Sequence, residues 1–253
     1  GPEAGAGAAG AENYRSASGE FFLEWYSGCL VAHGARVLEA ASSVFGRPED
    51  RPIALSIKCA GVHWWYNSPA HAAELTAGYF NVAGRCGYGP ILDACRVYGA
   101  RLIFTCVEMS NEQHPSRARC GPEGLLRQVR VSAARRGVGL AGENALPCYS
   151  DRDFHAESLE RIVANSQATV VAVPAGQGPS TSRGSFDAAA GEEGDVMAIP
   201  GMVSFTFLRL APPMVSSTHM RPWERFMAGM ARAAGPRARG VMRSASDPAA
   251  GAA

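Results

Sequence analysis

Four short apolar runs, each separated from the next by a segment of helical spacing, constrain this chain more than any other feature. They are I-A-L-S-I-K-C at 53–59, L-I-F-T-C-V at 102–107, V-G-L-A-G at 138–142 and V-S-F-T-F-L-R-L at 203–210. Apolar residues recur at helical spacing over 19–46, where Phe22, Tyr26, Leu30, Val37, Ala41 and Phe45 mark one stripe. Further helices are predicted at 70–80, 91–98, 153–164 and 221–234, with Pro122 opening another that runs to about 134. Strands alternating with helices cannot pair as tight hairpins. They predict an α/β fold of parallel βα units, with helices on both faces of the sheet. The length of 253 residues suits an eight-stranded βα barrel, which typically takes about 250. Only four strands are legible, however, so the pattern fits either a small open sheet or half of a larger barrel.

Composition sets the outer limits. Twenty-four Lys+Arg against 23 Asp+Glu leave a net charge of +1, with no basic run to meet nucleic acid or acidic lipid. No stretch of about 18 uncharged apolar residues is present to span a membrane. The cysteines at 29, 59, 86, 95, 106, 120 and 148 are odd in number and form no C-x-x-C pair, which reads as reduced intracellular thiols, plastidial or cytosolic rather than secreted. The first residue is Gly1 and no apolar signal core follows, as expected of a processed chain or a fragment. Three segments are rich in Gly, Ala, Ser or Pro: 1–11, about 174–195, and 235–253. They are expected to form a disordered start, a loop insertion and a disordered tail around one domain at 12–234.

Polar side chains gather where the four runs end, the place where α/β enzymes build their sites. Lys58, His63, Thr105, Glu108, Glu143, Asn144 and Arg209 are thereby offered to one rim. Alternation puts Ala54, Ser56 and Lys58 on one face of the first strand, and Ile53, Leu55 and Ile57 on the other. Lys58 is the one lysine among the 24 basic residues, so arginine has not replaced it here. Each candidate also has a plain structural reading. His63 suits a satisfied core position, Glu108 suits an ion pair with Arg101 or Arg117, and Glu143 suits a loop carboxylate or cap. Arg209, inside an apolar strand, needs a partner if buried. Trp64, Trp65 and Tyr66 cannot all face one side, so at least one ring is expected in a cleft, where a sugar face can stack.

Rival chemistries find less support. His71 and Glu74, at i and i+3 and joined by His63, make a weak metal set without an H-E-x-x-H motif or a cysteine cluster. No metal site and no cofactor are expected. There is no G-x-S-x-G elbow, P-loop or strand-borne G-x-G-x-x-G. Carboxylates beside aromatics and hydrogen-bonding side chains point to carbohydrate.

The run H-W-W-Y-N-S-P-A-H-A-A-E-L-T-A-G-Y-F-N resembles the β-amylases, glucan maltohydrolases of plants, algae and some bacteria. The resemblance continues through G-Y-G-P-I, L-I-F-T-C-V-E-M and A-G-E-N-A-L-P-C-Y to F-T-F-L-R-L, and covers roughly residues 12 to 230. It implies a (β/α)₈ TIM-type barrel, of which this chain would be the C-terminal half, strands five to eight. It also implies release of maltose from the non-reducing ends of α-1,4-glucans such as starch, with inversion. An inverting glycosidase needs a general acid and a general base ~6.5–9.5 Å apart. By resemblance Glu143 is the base. Asn144 and the Ala145 backbone, Lys58, His63, the Thr105 loop and Arg209 are substrate contacts. The acid's motif is not matched by Glu74, Glu108 or Glu112, so the resemblance places it in a missing N-terminal half-barrel needed for activity. The alternative is an inactive β-amylase-like protein that binds glucan or regulates.

Overall fold

The structure, a computed structural model, describes residues 13–50, 52–82, 85–149, 155–173, 195–209 and 217–233. The expected disordered start at 1–11 and tail at 235–253 lie outside the described residues, as does nearly all of the expected insertion at 174–195.

The chain opens with the long helix α1, Ala17–Phe45. Ser16 caps it, its hydroxyl accepting from Gly19 N at 3.2 Å, and Gly46 ends it at φ 89°. Strand β1, Ser56–Cys59, follows, then helix α2, Ala72–Ala77, and helix α3, Gly89–Val97. Strand β2, Arg101–Phe104, leads through two short 3₁₀ turns to helix α4, Pro122–Arg135. Pro122 sits in the first turn of α4, where its missing N–H costs nothing. Strand β3, Leu140–Glu143, and helix α5, Ala156–Ser166, come next. Strands β4, Thr169–Val173, and β5, Asp195–Ile199, precede the two-residue β6, Phe205–Thr206, and helix α6, Ser217–Ala233. Helix α6 starts four residues before its expected onset, so Pro222 falls inside it and removes one backbone donor.

The four expected strands form one parallel sheet in the order β1-β2-β3-β6. Ile57 lies beside Leu102 and Leu102 beside Leu140, while Gly142 lies beside Phe205. Because side chains alternate, this register gathers Ile57, Leu102, Phe104 and Leu140 on one face, where they join Tyr88, Leu92, Leu125 and Val129 of α3, α4 and the turn before α3. Phe205 extends that face toward Leu159, Ile162 and Phe226 of α5 and α6. The opposite face carries Ser56 and Lys58, both exposed. Two-sided coverage was expected; among the described residues the helices pack on one face. The polar alternation in S-I-K-C already distinguishes a half-covered strand from one buried on both sides.

One element was not expected, and one further expectation is corrected. The flanks of the 174–195 stretch form an antiparallel pair of strands absent from the sequence reading, with Thr169 opposite Ile199 and Val171 opposite Met197. The alternating β-branched run T-V-V-A-V supplies that strand. The hairpin is tied to α4 by Arg127, which donates to the Ala172 carbonyl at 2.8 Å. In α1, the stripe chosen for burial is largely outside: Phe22, Leu30, Val37 and Phe45 are exposed. The helix packs instead through Leu23, Ser27 and Leu38.

Candidate active site

Glu143 is the last residue of β3 and its side chain is 3% exposed; Lys58 reaches it from β1, across the intervening β2, to form an ion pair with its carboxylate. Lys58 is itself half exposed, so one end of the pair is in water and the other is buried. A buried carboxylate without such a partner would lose its hydration for no return.

A second carboxylate meets the turn that follows Glu143. Glu108, in the loop after β2, is 1% exposed. Its Oε1 accepts from Ala145 N at 2.8 Å and from Leu146 N at 2.6 Å. Burial raises its pKa, opposed by those amide donors and by the charge of Arg209. Glu108 therefore does not pair with Arg101 or Arg117 as one reading held; it anchors the turn that follows Glu143. Arg161 and Asn165 of α5 fix the same loop by donating to the Glu108 and Val107 carbonyls at 2.7 and 2.8 Å.

Asn144 is fully buried. Its amide nitrogen donates to the Leu146 carbonyl at 2.8 Å, and its oxygen accepts from Leu208 N at 2.7 Å. It thus ties the β3 turn to the chain leaving β6. Thr105 ties β2 to β1 in the same manner, its hydroxyl accepting from Gly61 N at 2.9 Å. Cys106 beside it is buried, and burial followed by the Glu108 charge pushes its thiol up to about 12, so it is not a nucleophile at neutral pH.

His63 is 2% exposed, stacked on Trp64 at 4.3 Å between ring centroids and tilted against His114 at 4.8 Å. Burial, then the His114 charge, lowers its pKa to about 4, so its imidazole is neutral at pH 7. Trp64 is half exposed, whereas Tyr66 packs inward and donates to Gln128 Oε1 at 2.9 Å. That satisfies the expectation that the adjacent aromatics diverge. Arg209 was expected inside a strand. It lies past the end of β6, exposed, at φ 63°, and its carbonyl accepts from the Tyr149 hydroxyl. Trp65 and Cys106 also have positive φ, at 59° each. Non-glycine residues strained in this way after β1, β2 and β6 are a pattern associated with functional loops.

The structure therefore brings Lys58 and Glu143 into contact, sets Ala145, Leu146 and Arg209 around Glu108, and places Asn144 between the β3 turn and the chain leaving β6. His71 and Glu74 pair with each other at 3.2 Å, and Glu74 Oε2 also accepts from Asn81 N. Reasoning from sequence missed the anchoring role of Glu108; the signal was a carboxylate just past a strand end, next to the strand bearing A-G-E-N.

Comparisons with known proteins point to one family. A family model described as Glycosyl hydrolase family 14 matches residues 1–172. The chain is 44% identical over 214 residues to "Beta-amylase 1, chloroplastic" of Oryza sativa subsp. japonica, covering 85% of this chain and 33% of that protein. It is 36% identical over 215 residues to "Beta-amylase 1, chloroplastic" of Arabidopsis thaliana, covering 85% of this chain and 32% of the other. The chain thus spans about a third of the length of these curated relatives. In fold it is similar to the catalytic domain of a β-amylase from Paenibacillus polymyxa, at a TM-score of 0.60 and 23% identity, covering 87% of this chain and 43% of that one.

Proposed function

The chain belongs to glycosyl hydrolase family 14, and on that premise we propose that it carries the general-base side of a glucan site that releases β-maltose from α-1,4-glucan ends with inversion. The observation that carries this reading is the buried Glu143 carboxylate at the end of β3, ion-paired with Lys58 from across the sheet. In the reaction Glu143 accepts the proton of a water attacking the anomeric carbon. Lys58 holds the carboxylate in place and presents its remaining donors to sugar hydroxyls. The Ala145 N–H is already taken by Glu108, so a sugar meets the Ala145 carbonyl instead. Asn144 shapes this turn from beneath, Trp64 offers a ring for stacking, and Arg209 lines the far side. His63 supports Trp64 from behind, and Thr105 holds the β1 and β2 ends together. These strands would correspond to the fifth to eighth of a full barrel, and a plastid location accords with the relatives' names.

Inversion needs a second carboxylate on the opposite face of the sugar. Glu108 does not suit that role: it is buried, with one oxygen held by two backbone amides. This favours a second reading for the 253-residue chain acting alone, as a glucan binder that does not cleave. The acid would come from the part of the relatives that this chain does not span.

The test is to assay the chain alone, and mixed with the separately expressed remainder of the rice relative, on maltoheptaose, following β-maltose by NMR. The mixture should release β-maltose and the chain alone should not. Glu143→Gln should lower the mixture's rate by about 10²–10⁴ while glucan binding stays within a few-fold. Unchanged turnover in that variant would remove Glu143 from the chemistry.

A further inference from the structure

Three side chains outside the proposed carboxylate chemistry converge behind Trp64. His63, His114 and Cys120 each offer one donor atom, and these atoms all lie within 4.8 Å of one another. His63 Nδ1 and His114 Nε2 are buried and have no hydrogen-bond partner among the described residues. That is an unusual condition for imidazole nitrogens out of water, and it calls for an occupant. Cys120 is 6% exposed, and among the described residues its thiol makes a single long contact, with the Ala118 carbonyl at 3.7 Å.

We propose that His63, His114 and Cys120 form a binding site for a thiophilic divalent cation, zinc in the first instance. Two imidazoles and one thiolate are a donor set of zinc type, and three protein ligands leave one tetrahedral position for solvent. Nitrogen and sulfur ligands of one zinc sit closer together than 4.8 Å, so the site closes by small side-chain rotations. On binding, the Cys120 S–H bond breaks, its proton goes to solvent, and the sulfur electron pair forms the bond to the metal; nothing is oxidised or reduced.

The backbone around the three residues explains what such a metal would do. His114 and Cys120 flank the 3₁₀ turn Ser116–Ala118. This segment already runs alongside the turn after β1. Trp65 N donates to the Ala118 carbonyl at 3.1 Å, Asn67 N to that of Arg119 at 3.0 Å, and Gly121 N to that of His63 at 3.0 Å. Gly121 is held close, because a Cβ there would strike the Tyr66 ring and the Asn67 amide. A metal at the three side chains would clip the β2–α4 connection to the loop that presents Trp64. It would act as a structural staple, and the proposal does not depend on any hydrolytic activity.

The test uses the full 253-residue chain, stripped with chelator and titrated with Zn(II), and in parallel with Co(II) as a spectroscopic substitute. One equivalent should bind, the thermal midpoint should rise with metal, and the cobalt form should show a thiolate-to-metal charge-transfer band. Cys120→Ser should abolish that band and weaken zinc binding by about tenfold or more, and His114→Gln should weaken it likewise. Cys29→Ser, at an exposed cysteine on α1, should change nothing. X-ray absorption at the zinc edge of the unmutated chain supplies a readout that needs no variant: one sulfur at about 2.3 Å and two nitrogens at about 2.0 Å. Binding lost with Cys29, a charge-transfer band surviving in Cys120→Ser, or a zinc shell without sulfur would each overturn the proposal.

Discussion

His63 shows how burial, helped by a neighbouring imidazole, sets the chemistry of a residue. Packed between Trp64 and His114, its imidazole has a pKa lowered to about 4 from 6.5. Between those two values the unfolded chain holds a proton that the folded chain does not, so stability falls as pH drops from 6.5 toward 4. For the metal-free chain this loss should be on the order of 2–3 kcal/mol from His63. Urea unfolding at steps between pH 7 and pH 4 should show it, and His63→Asn should flatten the slope in that window. An equally steep slope in the variant would assign the acid sensitivity to carboxylates elsewhere. At this scale Lys58 and Glu143 were legible because strand ends in α/β folds point to the site. Glu108 was legible only as a charge, since its partners are backbone amides whose position depends on how the β3 turn folds back.

The ends of β1 and β2 are locked at close range. A side chain at Gly61 would run into the Cys106 sulfur, the Phe104 ring and the Thr105 carbonyl. Two of these neighbours are buried core atoms and one is backbone, so none yields cheaply. Gly61→Ala should therefore cost about 1–3 kcal/mol through overpacking, read as a lower denaturation midpoint with an unchanged m-value. A neutral result would mean that the two loops slide apart freely. Among the helices, α4 followed its expected bounds closely because Pro122 marks its start and its apolar spacing is regular. The β4–β5 hairpin was overlooked because its strands border a Gly/Ser-rich stretch, where composition outweighed a short β-branched run.

At the scale of the molecule, the sheet order leaves β1 and β6 as edges, with no strand on their outer sides among the described residues. Edges of that kind invite pairing with another chain. Phe21, Phe22 and Trp25 of α1 add an exposed apolar surface, at 74%, 56% and 57% exposure. Together these predict that the 253-residue chain self-associates unless a complementary partner covers it. On a sizing column its elution should shift with concentration, and admixture of the remaining part of a relative should reduce that shift. A concentration-independent monomer would show that the edges and the α1 face are tolerated in water.

The sequence by itself determined the alternation of strand and helix, the parallel sheet, and the polar groups collected at the strand ends. These follow from periods of two and of three to four residues, which near neighbours enforce wherever the chain runs. Tertiary structure alone decided that Lys58 reaches Glu143 across β2, that Glu108 holds the turn at Ala145, and that His63 meets His114 and Cys120. It also decided which side of α1 is buried. Such pairings depend on strand register and on the path of loops with positive φ, and contacts between residues distant in sequence leave no local period to read.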